Sequence, residues 1–412
     1  MEKILEGIKR KLPFWVLLLF EIVALFLKSY EGIVNEINTT MLAFSYRYGF
    51  ISRGFVGTLY DLLEKITPFD MFNRWGVVRF TQLSWAVYLL VLLMFFAVII
   101  RHAPQGSDNH VKVIIFFYTI FAIPFFLSNF NFGRSDMWML MMSLMAICCL
   151  VSKKFEFLAV PLCGIGVMVH QGYVFMFVNI VLVFLLYRAL EQKNIFKNKY
   201  MYMFIITFLE VSALFLYFEK FSHGNGPAIV DNVVSMANSI IEPGKEIHQD
   251  VIDKEILGIS LADREAQWRR MNHVHAPIFI VCMLPYVIIF IKFFKNILQG
   301  ASDYRKKAQY GLFLLGAGTM VPELILKCDY GRWTFAIISY YIVVVLALIA
   351  ENDKGVVESV AQIMSKVKAM GVIGMLILVY PVMFQPLGDV AICGFVASIA
   401  EQVKVFVGAN WW

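Results

Sequence analysis

Apolar runs long enough to cross a bilayer recur along this chain, and they decide what it can fold into. A membrane span needs about 20 residues of helix. Runs near or above that length lie near residues 13–30, 80–100, 112–128, 134–151, 155–169, 172–187, 200–218, 276–295, 308–326, 333–350 and 370–385, with a further apolar stretch at 388–407. A helix satisfies its own backbone hydrogen bonds, which hydrocarbon cannot do for it. With 60% hydrophobic and 16% charged residues overall, the expected fold class is all-α, a polytopic membrane helical bundle of about 11–12 transmembrane helices. No linker, low-complexity tract or internal repeat divides the chain. Residues 1–412 are therefore read as a single integral membrane domain, with two larger extracytoplasmic loops at about 31–79 and 219–275.

The first run follows Lys3, Lys9, Arg10 and Lys11 as a secretory signal would, but Lys28 succeeds it without a small-residue cleavage pattern, so it is expected to be retained. The six cysteines, Cys148, Cys149, Cys163, Cys282, Cys328 and Cys393, lie in or beside apolar segments with no CxxC and no metal spacing. They read as buried thiols.

Orientation follows from the distribution of basic residues. With a cytoplasmic N-terminus, the short inner connections carry Arg101, Lys153, Lys154, Arg188, Lys193, Lys292, Arg305 and Lys306 among others, whereas the short outer loops hold Arg134, Lys327 and Arg332. The expected location is a bacterial cytoplasmic (inner) membrane. The net charge of +6 is accounted for by cytoplasmic flanks meeting membrane lipids and requires no nucleic acid partner.

On this topology the polar groups at the span ends gather on the outer face. SYRYGFISRGFVG contributes Arg47 and Arg53, NFGRSD contributes Arg134 and Asp136, and VHQGY contributes His170 and Gln171. REAQWRRMNHVH adds Arg264, Arg269, Arg270, His273 and His275, and KCDYGRW adds Asp329 and Arg332. An active site at the membrane surface would draw groups from many helices in this way. Each also has a plainer reading. Arg134 can snorkel to headgroups, Asp136 suits the first turn of a helix, and His170 can be a satisfied core histidine. Gly54 and Gly57 in RGFVG permit close backbone approach, either to another helix or to a ligand. GTLYDLLEKI, with Leu59, Leu62, Leu63 and Ile66, fits an interfacial amphipathic helix. His273 and His275 with Asp263 suggest a metal site on spacing alone, but a histidine pair in a basic loop reads as solvated, so no metal and no cofactor is expected.

Arginines at a membrane surface point to an anionic ligand, since guanidinium binds phosphate through a planar fork and stays charged. A lipid-linked diphosphate fits, with Arg47, Arg53, Arg134, Arg269, Arg270, Asp329 and Arg332 as the substrate-binding set and Trp138, Tyr173 and Trp333 as surfaces for sugars. The base that takes the acceptor hydroxyl proton is placed on His170, with Asp136 as the alternative.

The run GRSDMWMLMMSLMAICCLVSKKFEFLAVPLCGIGVMVHQGYVF resembles a pattern in the Wzy/EpsG-type polysaccharide polymerases, the family that makes O-antigen, capsule and exopolysaccharide: an arginine opening a span, a basic turn, a second span, and a histidine at its outer end. The later DYGRWTFAIISYYIVV resembles the family's arginine-led helix. The resemblance implies a GT-C-like or Wzy-like bundle and transfer of an undecaprenyl-diphosphate-linked glycan onto another lipid-linked repeat unit at the outer face of the membrane. A flippase and a chain-length regulator are the protein partners it implies. Residue by residue it supports Arg134, His170 and Arg332. Three rival readings stand beside it. One is a GT-C-type glycosyltransferase using a polyprenyl-phosphate sugar, with Glu31 and Glu36 as its acids. The second is a membrane O-acyltransferase using His170, and the third is a transporter using Glu21 and Glu210, which lie inside spans.

Overall fold

The computed structural model describes residues 2–29, 33–68, 70–127, 131–223, 225–260, 275–326 and 330–374, with short pieces at 262–263, 266, 377, 386–387 and 391–392. The described chain is helical apart from one short antiparallel pair, Pro386–Leu387 against Ala391–Ile392. In chain order the helices are α1 (Glu2–Ser29), α2 (Glu36–Leu42), α3 (Gly54–Ile66), α4 (Arg74–His102), α5 (Asp108–Leu127), α6 (Ser135–Ser152), α7 (Ala159–Val169), α8 (Tyr173–Met176) and α9 (Val178–Glu191). They continue with α10 (Lys199–Lys220), α11 (Gly226–Ile240), α12 (Gln249–Glu255), α13 (His275–Gly300), α14 (Tyr304–Leu315), α15 (Val321–Leu326), α16 (Tyr330–Ala350) and α17 (Lys354–Ala369). Among the described residues, α4, α5, α6, α10 and α16 are long and apolar enough to cross a membrane. Leu90, Leu209 and Ile291 stand exposed on α4, α10 and α13, as lipid-facing positions do. The architecture is that of a membrane helical bundle.

Three of the expected spans are not single full-length helices. The run at 155–169 holds an 11-residue α7, roughly 16 Å of rise. The run at 172–187 breaks between α8 and α9 at Phe177, and the run at 308–326 breaks into α14, a tight 3₁₀ turn at Gly316–Met320, and α15. The two breaks lie side by side and satisfy each other. Asn179 Nδ2 donates to Gly316 O at 2.7 Å, and Thr319 Oγ1 donates to Phe175 O at 2.9 Å. Side chains thus take up carbonyls that a broken helix would otherwise strand in an apolar interior. Most of the apolar run at 370–385, and all but 391–392 of the run at 388–407, lie outside the described residues. In front of them stands a helix the span pattern did not suggest, the amphipathic α17, capped by Asp353, whose carboxylate accepts from Val356 N–H at 3.0 Å.

The two ends of the bundle differ. At one end Arg188 is buried and pairs with Glu156 at 3.0 Å and with Glu351. Nearby, the Asp353 carboxylate accepts from Tyr187, Tyr310 and Lys306. At the other end the described parts of the excursions at 31–79 and 219–275 pack on each other. Leu42, Phe44, Tyr60 and Phe80 share a second apolar core with Val233, Ala237, Ile240, Ile252 and Ile256 of α11 and its successor segment. The helix expected from GTLYDLLEKI is α3, and of its four apolar candidates Leu62 and Ile66 turn outward at 51% and 68% exposure while Leu59 and Leu63 pack against the second core. Its buried side carries Gly54, Gly57, Tyr60 and Asp61. A Cβ on Gly57 would stand 2.0 Å from Phe44 O and one on Gly54 2.5 Å from the Tyr46 ring, so the close approach in RGFVG is to the neighbouring chain.

Candidate functional site

Five of the sequence candidates meet at the capped end of the bundle. Arg134 is the N-cap of α6, held by its own N–H to Asn131 O at 3.0 Å and by its guanidinium to Asn131 Oδ1 at 3.1 Å. The turn before it needs Gly133, whose φ is +84°. Two residues further on, in the second position of the helix, Asp136 is fully buried. Arg332, in the first turn of α16, grips it with a two-point fork: Nε to Oδ2 at 2.7 Å and Nη2 to Oδ1 at 2.6 Å. Arg134 Nε lies 3.7 Å from the same Oδ2. The first-turn position of Asp136 favours the helix dipole, but the fork ties together the N-terminal ends of two helices nearly two hundred residues apart in the chain.

Arg53 enters from the cap. It is the residue before α3 and has φ +59°, left-handed for a non-glycine residue, a conformation that costs on the order of 1 kcal/mol and concentrates at functional positions. Its guanidinium pairs with Glu255 at 2.8 Å. His170 follows α7 in extended backbone, and its Nδ1 accepts from Gly172 N–H at 2.7 Å. That hydrogen bond uses the basic lone pair of Nδ1, so the neutral ring carries its proton on Nε2. Burial first, then the charges of Arg53, Arg332, Arg134 and Lys254, push the imidazole well below its ordinary range. Four cations against two carboxylates, Asp136 and Glu255, leave an excess of positive charge around a neutral histidine.

The remaining candidates are elsewhere. Arg47 pairs with Asp61 at 3.5 Å and covers the Tyr48 ring at 4.6 Å. Asp61 lies two turns along α3 from Arg53, about 12 Å of helix rise. Arg264, Arg269, Arg270, His273 and Asp329 lie outside the described residues, as does the side chain of His275. The aromatic candidates are packing groups. Tyr173 is fully buried and hydrogen-bonded to Ser143, Trp333 is buried, and Trp138 stacks on Phe80 at 6.5 Å. No described group of three His, Cys, Asp or Glu side chains is placed to hold a metal.

Sequence reasoning missed Ser52, Glu255 and the use of Gln171. Ser52 Oγ donates to Glu255 Oε2 at 2.8 Å, and Gln171 donates to the same carboxylate. Burial alone would raise the Glu255 carboxyl, but Arg53, Lys254, Ser52 and Gln171 bring it below its ordinary value. Gln171 stood out as polar at a span end. Glu255, in a polar loop with many charges, carried no signal.

The neutral histidine makes a prediction about stability. A histidine whose pKa is depressed on folding gains no proton in the native state, whereas the unfolded chain gains one below about pH 6.5, so stability should fall as pH drops through that value. The thermal midpoint of the purified protein should decline between pH 7.5 and 5.5, and His170→Gln should decline less. Equal slopes would mean that His170 is protonated in the fold.

No protein-family model, curated protein or solved structure matches this chain.

Proposed function

We propose that the chain is a polysaccharide polymerase of the bacterial cytoplasmic membrane, with its capped end facing outward. It moves an undecaprenyl-diphosphate-linked glycan onto a second lipid-linked repeat unit. The observation that carries the reading is the meeting of Arg53, Arg134 and Arg332 with His170 at one end of the bundle. The reaction breaks the bond from the donor sugar to diphosphate, and its electron pair goes to the diphosphate oxygen. Clustered guanidiniums stabilise the charge that develops there, which is worth most in a site closed to water. The acceptor hydroxyl oxygen forms the new bond.

The geometry favours leaving-group stabilisation over a dedicated base. His170 has its Nδ1 lone pair engaged and acts as an Nε2–H donor to substrate oxygen. Asp136 has both oxygens on Arg332 and serves to fix that guanidinium. The acceptor proton then passes to the departing diphosphate, since phosphate groups of this kind take up a proton near neutrality, with a second pKa of about 6.

The rival readings have less support. Glu36 is tied to Lys245 at 2.9 Å on the rim of the cap, and Glu31 lies outside the described residues. Glu21 accepts from Thr119 on α5, while Glu210 faces Gly164 on α7, so each acid sits in its own helix contact.

In cells lacking the protein, single lipid-linked repeats should accumulate and polymer should disappear; normal polymer would refute the assignment. Orientation is tested separately in a cysteine-free background. Glu246→Cys should react with an impermeant thiol reagent in intact cells or spheroplasts, and Lys193→Cys only after lysis. The opposite pattern would invert the topology.

A further inference from the structure

The most unusual member of the cluster is Glu255, a carboxylate carried into the site by the cap. It ends the seven-residue helix α12, whose other buried residue is Ile252, and it is 4% exposed. Its two oxygens are shared between different donors. Oε1 meets Arg53 at 2.8 Å, Oε2 accepts from Ser52 Oγ at 2.8 Å, and Gln171 donates as well. Serine hydroxyl, guanidinium and amide are the donor set of a phosphate site. The fit to a carboxylate is incomplete. Arg53 Nε and Gln171 Oε1 are both buried without a hydrogen-bond partner, although an orphaned buried polar group costs about 1–3 kcal/mol. A tetrahedral anion with three or more oxygens supplies an acceptor for Arg53 Nε, and a hydroxyl beside the phosphate supplies a donor for Gln171 Oε1; the Glu255 carboxylate, with its oxygens turned to Arg53 Nη2 and Ser52, leaves Nε unmet and, when ionised, has no donor to offer Gln171.

We infer that Ser52, Arg53 and Gln171 form a phosphate seat which Glu255 occupies, and that a substrate phosphate enters by displacing it. The seat is distinct from the Arg134–Arg332 pair, which is anchored on Asp136. Two seats suit a reaction that brings two phosphate-bearing lipids together. The displacement would be transmitted to the cap, because α12 is wedged there. Ile252 and Ile256 are in its core, and a Cβ on Gly226 would stand 2.1 Å from Ile256 O. Moving Glu255 therefore loosens the α11–α12 contact and opens the site to a second substrate. This inference rests on the cluster being an anion site, but not on transferase activity. A chain that binds phosphate here and makes no polymer would fail the polymerase reading and keep this one.

The test uses the full-length protein in nanodiscs, with inorganic pyrophosphate as probe and hydrogen exchange of residues 249–256 as readout. In phosphatidylcholine discs pyrophosphate should lower the protection of these amides. If the same loss follows from replacing part of the phosphatidylcholine with phosphatidylglycerol and adding no pyrophosphate, the seat takes a lipid headgroup. Glu255→Gln, which weakens the occupant, should bind pyrophosphate about tenfold more tightly if the competent state is the minor one. Ser52→Ala should bind it about tenfold more weakly, as loss of a hydrogen bond to a charged group predicts. Unchanged protection under both probes, or pyrophosphate binding by folded Glu255→Gln that is equal to or weaker than wild type, would overturn the inference and leave Glu255 a structural clamp.

Discussion

Replacing Asp136 by alanine is expected to destabilise the protein by about 3–5 kcal/mol, the usual consequence of leaving one charge of a buried pair without its partner. Asp136 is fully buried and Arg332 is 8% exposed, so water cannot readily take over the hydrogen bonds of the fork. The loss falls where α6 and α16 meet, and it should be read as a lower unfolding midpoint in detergent or in nanodiscs. The double variant Asp136→Leu with Arg332→Leu should recover much of the stability, because removing both charges also removes the desolvation each one suffers. A single variant within about 1 kcal/mol of wild type would mean that the pair is hydrated and that the two helix ends are not tied by it.

The second large effect is on activity. Arg134→Lys and Arg332→Lys keep the charge but lose the planar fork. Each should lower turnover by about 100-fold or more, the usual effect of removing one preorganised donor from a developing oxyanion. For Arg332 the loss includes its grip on Asp136, so its lysine variant should also lose stability, whereas Arg134→Lys should not. If both lysine variants turn over at wild-type rates, these arginines are headgroup anchors and not part of the chemistry.

Much of this site was legible because charge at the end of an apolar span is costly, and a chain carries it there only where something receives it. Arg53, Arg134, Asp136, His170 and Arg332 could each be picked out for that reason, and the fold brings them together from four chain segments. The partners were not legible. The charge of Arg47 looked equivalent to that of Arg53, but Asp61 takes it, a choice made by the rotation of α3 on the Leu42–Phe44 backbone. Glu255 looked like any loop acid until α12 was packed. The role of His170 turned on one backbone donor, Gly172 N–H, which sequence cannot place. For the fold, hydrophobicity located the helices but not their breaks. The runs at 172–187 and 308–326 are apolar on both sides of the interruption, and Asn179 and Thr319 mark the breaks only once they are seen paired across them. The amphipathic α17 was hidden because its apolar face is too narrow to register as a span.

The central claim is that this chain joins two lipid-linked saccharides by displacing a diphosphate carrier held among arginines. It is tested most directly by incubating the purified protein in nanodiscs with a radiolabelled undecaprenyl-diphosphate-linked oligosaccharide and separating the lipid products. The account predicts one undecaprenyl diphosphate released for each lipid-linked product of two repeats, and loss of both signals together in Arg134→Lys and Arg332→Lys. Carrier release without a lengthened product, or a lengthened product formed equally well by the lysine variants, would contradict it.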